Sequence, residues 1–335
     1  MAARNLLHAA LIAAALGAGA PAHAAMAAQA PAAEARDRSL EHHLARIAGN
    51  LDGVVGVSIR DLSSGATFGL NADEAFPMAS TFKIAVAGAI LEQVDSGELT
   101  LEQMVTVDPD MHVPSEIIAD RFIHPGVSLS VANLMELMLT QSDNTATDVL
   151  TELAGGPAAV TGWLTSIGVE GQRVDRDTAG LLRDFFQLPE GPLAQTAAAA
   201  LAEDPGFFDD GLRPREAFYN DPKDTSTPDA MADLLTRIVQ GEALSADSTE
   251  FLVGVMERCR TGEGRLKGLL PGGVTVAHKT GTVGGTVNDV GVMTLPGGRQ
   301  VVIAVFVKAS PAPAEARERT IAEIARTAYD YFLFN

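Results

Sequence analysis

The sequence predicts an α/β (α+β) protein: an antiparallel sheet built from both chain ends, covered by terminal helices, with an all-helical subdomain inserted into it. Three observations predict this. Hydrophobic residues alternate at period two near the start, where Val55, Val57 and Ile59 are interleaved with Gly56, Ser58 and Arg60. The same strand-like patterning returns in the last quarter of the chain. Between these regions the apolar residues recur at helical spacing.

The elements follow in order. Met1–Ala24 carries one cation (Arg4), an uncharged, mostly apolar run from Ala9 to Ala20, and the Ala22-His23-Ala24 ending expected of a cleaved signal peptide. Residues 25–36, mostly alanine with proline, read as a disordered leader. Leu40, Leu44 and Ile47 mark a first helix, and Ser63-Ser64-Gly65 turns the first strand into a second over Ala66–Leu70. Helices are expected over Phe82–Ser96, Val131–Gln141, Ala146–Leu153 and Pro228–Val239. Strands return at Val274–Val276, Asp289–Leu295 and Gln300–Lys308, the last two joined by the Pro296-Gly297-Gly298 turn. A closing helix over Ala314–Phe334 would bury Ile321, Ile324, Ala325, Ala328 and Phe332. Because a lone hairpin is marginal in water, strands from the two ends need each other. Residues 37–76 and 268–335 therefore form the sheet subdomain, and residues 77–267 the helical one. A cleft between such lobes favours a small-molecule site.

Composition limits the partners. The 335 residues are 47% hydrophobic and 20% charged, enough for one large domain or two medium ones. A formal charge of −19 repels phosphate backbones and anionic lipid, so neither nucleic acid nor a membrane is expected. After the signal segment, no run is apolar enough to span a bilayer, and a secreted, periplasmic monomer is expected. The single cysteine, Cys259, allows no internal disulfide and reads as buried packing. The seven histidines show no metal-ligand spacing; no metal or cofactor is expected.

Three short motifs carry chemistry. Ser80-Thr81-Phe82-Lys83 places a hydroxyl and an amine one helical turn apart. Such an amine can take the serine proton if burial and the helix N-terminus keep it partly neutral. Ser142-Asp143-Asn144 closes one helix and opens the next, where helix capping is the alternative reading. Lys279-Thr280-Gly281 follows a strand, where its glycine would leave room for a ligand against the strand edge.

In this order, Ser-x-x-Lys, Ser-Asp-Asn and Lys-Thr-Gly resemble class A β-lactamases and the related penicillin-binding proteins. The resemblance extends from about Leu40 to the C-terminus. It includes Asp224-Thr225-Ser226-Thr227-Pro228, similar to the segment after the family's omega loop, and Arg265-Leu266-Lys267-Gly268, similar to the run before the Lys-Thr-Gly strand. The resemblance implies the β-lactamase/transpeptidase-like fold and a small β-lactam as substrate. It implies that Ser80 is acylated, Lys83 relays its proton, and Ser142 protonates the departing ring nitrogen. Asn144 would hold Lys83 and the substrate's side-chain amide. Lys279 and Thr280 would bind the substrate carboxylate with support from Arg265, and the Ser80 and Thr282 amides would form the oxyanion hole.

One position departs from the family. Its deacylating glutamate belongs to an Arg-x-Glu run, which here matches Arg176-Asp177-Thr178 and puts Thr178 at the glutamate's place. Arg176 and Asp224 match the pair that closes the loop, but the loop between them, 176–224, is enlarged and carries Phe185-Phe186, an alanine-rich run and Phe207-Phe208. Asp177 is the first candidate for a replacement base and Asp175 the second. The alternative is that both aspartates pair with Arg173 and Arg176. Without a base, the scaffold would act as a slow penicillin-binding peptidase, esterase or sensor.

Overall fold

The computed structural model describes residues 37–115, 117–122, 124–209, 211 and 213–334. The expected signal segment and leader, residues 1–24 and 25–36, lie outside them. Contacts group Leu40–Asn335 into one body, preceded by a unit Met1–Ser39 whose described residues, 37–39, are helical.

The strands, in chain order, are β1 (Val54–Asp61), β2 (Thr67–Leu70), β3 (Phe76–Pro77), β4 (Met104–Thr106), β5 (Ser128–Ser130), β6 (Thr225–Ser226), β7 (Thr275–Val283), β8 (Thr286–Thr294) and β9 (Gln300–Lys308). Five of them form one antiparallel sheet in the order β2-β1-β9-β8-β7. The two chain ends meet where β1 pairs with β9, Val57 opposite Val305. This is the expected sheet, with differences in β7 and in β8, which starts at Thr286 rather than Asp289. β7 does not stop at Val276 but continues through Lys279, Thr280 and Gly281, because β8 begins at Thr286 and pairs along that whole length.

The helices are α1 (37–48), α2 (Lys83–Asp95), α3 (Ile118–Arg121), α4 (Val131–Thr140), α5 (Asn144–Leu153) and α6 (Pro157–Ser166). Then follow α7 (Thr178–Phe186), α8 (Leu193–Glu203), α9 (Glu216–Tyr219), α10 (Pro228–Val239), α11 (Ala246–Glu257) and α12 (Ala314–Phe334). The period-two pattern of the sheet explains its two cores. Val55, Val57, Ile59, Ile303 and Val305 pack against Leu40 and Leu44 of α1 and Ile321, Ile324, Ala328 and Phe332 of α12. Val302, Ala304 and Phe306 point the other way, into the core shared with α2, α5 and α10. Both faces of β9 are therefore apolar, as a central strand covered on both sides requires.

α2 sits at the centre of the helical part, and Gly88 lets it do so. A Cβ there would lie 2.0 Å from the Trp163 ring of α6. The segment read as an enlarged loop is largely helical: α7, α8 and α9 all lie between Arg176 and Asp224. Phe185 and Phe186 stack edge to face at 4.9 Å, and Phe186 meets Phe208 at 4.6 Å, so this segment carries its own small core.

Candidate active site

Ser80 lies in a 3-10 turn, Ala79–Phe82, that runs directly into α2. Ala79 is held at φ 46°, a conformation that costs a non-glycine residue about 1 kcal/mol or more. Strand β7 presses on this turn at Gly281, where a Cβ would sit 2.5 Å from the Met78 carbonyl and 3.1 Å from the Ser80 nitrogen. The glycine therefore makes room for the backbone of the nucleophile itself, and the Ser80 and Thr282 amides flank the contact. Asn288 of β8 fixes the same turn from below, its Nδ2 donating to the Pro77 and Met78 carbonyls at 2.9 and 3.0 Å.

Lys83 is fully buried. Its Nζ donates to Asn144 Oδ1 at 2.8 Å, to the Ser142 carbonyl at 2.7 Å and to Ser142 Oγ at 3.2 Å. Burial, then the neighbouring Lys279, holds this amine well below the ordinary lysine range. Lys279 is also fully buried, and its Nζ donates to the same Ser142 Oγ at 2.9 Å and to the Thr280 carbonyl at 2.9 Å. Burial brings Lys279 down to about 8. Ser142 thus stands between two lysines, placed there by a left-handed backbone at φ 58°. The capping expected of this motif belongs to Asp143: its Oδ1 accepts the Ala146 amide at 2.8 Å and starts α5, while Oδ2 accepts the Ile118 amide at 2.9 Å. One residue of the triplet caps, and its two neighbours build the site.

Thr280 is buried and shares a 2.6 Å hydrogen bond with Thr261, whereas Thr282 is exposed at the cleft edge. Arg265, expected to support a carboxylate, lies behind the strand. Its Nη2 donates to Thr282 Oγ1 at 2.7 Å, Nη1 to the Gly281 and Asn288 carbonyls, and Nε pairs with Glu318 at 3.0 Å. With every nitrogen engaged, it orients Thr282 and the strand.

The enlarged segment is closed as expected. Arg176 Nε meets Asp224 Oδ2 at 2.6 Å, and Asp224 Oδ1 accepts the Asp175 and Arg176 amides at 2.7 and 3.0 Å. Asp175 pairs with Arg173. Asp177, the first candidate for a replacement base, caps α7: its Oδ1 accepts the Gly180 amide at 2.6 Å. It lines a cavity of about 240 Å³ with Met111, Asp148 and Arg183, apart from the cleft between Lys83 and Lys279. Asp is a favoured N-cap, and the start of α7 uses it as one.

Sequence reasoning missed several groups. Asp148, fully engaged below α7, accepts the Thr178 and Ala179 amides at 2.7 and 2.9 Å. Burial, reinforced by the nearby Asp177 charge, pushes its carboxyl up to about 7. Its only sequence signal is the i, i+4 spacing from Asn144 on one face of α5. His278 and Asp289, both buried, join across β7 and β8 at 2.8 Å, and Asp289 raises the imidazole to about 9 although burial opposes it. The buried Cys259 thiol adjoins this imidazole. Burial alone would raise the thiol, but His278 brings it down to about 6.

A serine placed at a helix start, a buried lysine one turn on, and a second hydroxyl bridging to another lysine form the arrangement of a serine acyl hydrolase. The beta-lactamase enzyme family model matches residues 39–332. The chain is 33% identical over 272 residues to the extended-spectrum beta-lactamase PER-1 of Pseudomonas aeruginosa, covering 79% of this chain and 78% of that one. Among solved structures, a beta-lactamase from Chitinophaga pinensis superposes with a TM-score of 0.72 at 30% identity, covering 87% of this chain and 98% of that chain. An ancestral class A beta-lactamase of Gram-negative bacteria matches with a TM-score of 0.72 at 34% identity, covering 87% and 99%. The chain belongs to the beta-lactamase enzyme family, and its relatives are of class A.

Proposed function

We propose that this protein is a serine β-lactamase that opens the lactam amide through an acyl-enzyme on Ser80. The observation that carries this is the buried Lys83 amine, held by Asn144 and Ser142 one turn from Ser80. A neutral amine offers two N–H donors, accepted by Asn144 Oδ1 and the Ser142 carbonyl at 2.8 and 2.7 Å, and a lone pair. The lone pair takes the Ser80 proton as Oγ attacks the lactam carbonyl, while the Ser80 and Thr282 amides hold the oxyanion. Ser142 Oγ gives its own proton to the ring nitrogen as the C–N bond breaks and is reprotonated by Lys83, 3.2 Å away, which returns to the neutral amine. Lys279 and Thr280 bind the substrate carboxylate.

The ester must then be cleaved by water. With Asp177 engaged in capping α7 and Thr178 at the place of the family's glutamate, the base one turn from Ser80 is again Lys83. It takes the proton of the water that attacks the ester carbonyl and returns it to Ser80 Oγ as the ester C–O bond breaks. Among the described residues no helix is long and apolar enough to cross a membrane. The signal-like residues 1–24 support a periplasmic or secreted enzyme.

The test uses the mature protein with a penicillin and a cephalosporin, following ring absorbance and intact mass. Many turnovers, lost in Ser80→Ala, are expected. A stable adduct without turnover would remove the hydrolytic half of the reading, and no adduct at all would remove both halves.

A further inference from the structure

A chain of polar side chains runs behind β7 and ends at a hydroxyl of the cleft. Asp289 accepts the Leu266 amide at 3.1 Å and His278 Nδ1–H at 2.8 Å, which fixes that ring nitrogen as a donor. The other ring nitrogen, Nε2, is buried without a hydrogen-bond partner among the described residues, and the Cys259 thiol lies beside it. Cys259 Sγ is 3.4 Å from Thr261 Oγ1, and Thr261 Oγ1 is 2.6 Å from Thr280 Oγ1. Cys259, His278 and Thr280 are all buried. Neither the thiol nor the imidazole has a part in the acyl-transfer steps, yet both connect through Thr261 to a residue that binds substrate.

We infer that Cys259 is a positioning residue whose protonation turns the Thr280 hydroxyl toward the substrate carboxylate, and whose ionisation turns it away. The inference rests on the proposed β-lactamase activity and deepens it. A hydroxyl has one hydrogen to give, and the 2.6 Å contact between Thr261 and Thr280 holds one. For Thr280 to donate to a carboxylate, Thr261 must fill that contact with its own hydrogen. The lone pairs left on Thr261 then face the S–H of a neutral thiol. A thiolate reverses the chain: Thr261 donates to sulfur, Thr280 donates to Thr261, and the carboxylate meets an oxygen lone pair. The surrounding charges bring this reversal near neutral pH. From β7 the thiol faces His278 and Lys279, and from β8 Asp289 keeps His278 charged. Lys267 donates to the Cys259 carbonyl at 3.1 Å, and Glu136 of α4 is engaged by Arg258. Burial favours the thiol, but the His278 and Lys279 cations outweigh it and bring the group down to about 6.

The experiment measures the dissociation constant of benzylpenicillin by calorimetry in Ser80→Ala, where no acyl-enzyme forms. Between about pH 5 and about pH 7 the constant should rise about fivefold, as a hydrogen bond to a charged group is lost in most of the molecules. With Cys259→Ser added, a donor that does not ionise faces Thr261, and the affinity should stay at its low-pH value. Cys259→Ala should likewise remove the pH step. Other groups titrate alike in all three proteins, so the difference isolates the thiol. No pH effect with Cys259 present, or the same effect in both Cys259 variants, would overturn the inference. A second readout needs no β-lactam: the difference in absorbance at about 240 nm between the native protein and Cys259→Ser follows the thiolate, which should form between about pH 5 and about pH 7. A thiol that stays protonated up to its ordinary range of about 8.5 would overturn the inference as well. If benzylpenicillin binds at neither pH, the proposed activity fails, and the thiol titration then decides the inference by itself.

Discussion

The two walls of the cleft are built on opposite principles. On one side, β7, the Ser80 turn and the start of α5 hold two buried lysines and a serine in a hydrogen-bonded lattice that includes Asn144, Thr280 and Thr261. On the other, the segment from Thr178 to Tyr219 is a set of short helices around phenylalanines, fastened at its neck by Arg176 and Asp224. Fixed charges must be placed to within a fraction of an ångström to move protons. An apolar wall needs only shape and volume. The first wall can thus stay constant in its chemistry while the second varies in size.

Breaking the first wall should have the largest effect. Lys83→Ala should slow acylation about a thousandfold or more, read by stopped-flow loss of ring absorbance, while the fold is retained. Breaking the neck of the second wall comes next. Asp224→Ala removes a buried carboxylate that serves a guanidinium and two backbone amides, and should cost about 3 kcal/mol in urea unfolding. Neutralisation of Lys279 sharpens the comparison further. Since its amine loses its charge above about pH 8, KM for a carboxylate-bearing substrate should rise severalfold between pH 7 and 9, and KM for the matching ester should not.

The smallest effect tests whether Asp177 serves as a cap or as a base. The Asp148 carboxyl, pushed up to about 7, is raised above its ordinary value of 3.8. The stability it gives in its protonated form is present below about pH 4 and is lost as pH rises through about 7. Asp177→Asn keeps a good helix cap but removes the like charge. It should raise stability at pH 7 by about 1 kcal/mol and leave turnover within about twofold. A loss of turnover by a hundredfold would return Asp177 to the role of base.

The two walls also differ in how far the sequence reveals them. Ser80, Lys83, Ser142, Asn144, Lys279 and Thr280 are legible because proton transfer needs particular side chains at particular helical or strand spacings. The supports behind them are not. Asn288 and Asp289 matter only because the β7–β8 register sets them opposite Gly281 and Thr280, and register emerges from pairing rather than from local pattern. The left-handed backbones at Ala79 and Ser142 leave no residue-type signal, since neither is glycine. In the second wall, the alanine-rich run gave composition but not its packing. Whether Asp177 points to the cleft or caps α7 depends on where that helix begins, and helix boundaries are the least certain part of any sequence reading.

The most direct test of the account is the pH dependence of the acylation rate constant, measured in single turnovers with a penicillin. A lysine base held low by burial predicts a single ascending inflection well below the ordinary lysine range, absent in Lys83→Ala and not restored by Lys83→Arg. A rate that keeps rising to the ordinary lysine range, or an inflection that survives in Lys83→Ala, would contradict Lys83 as the base.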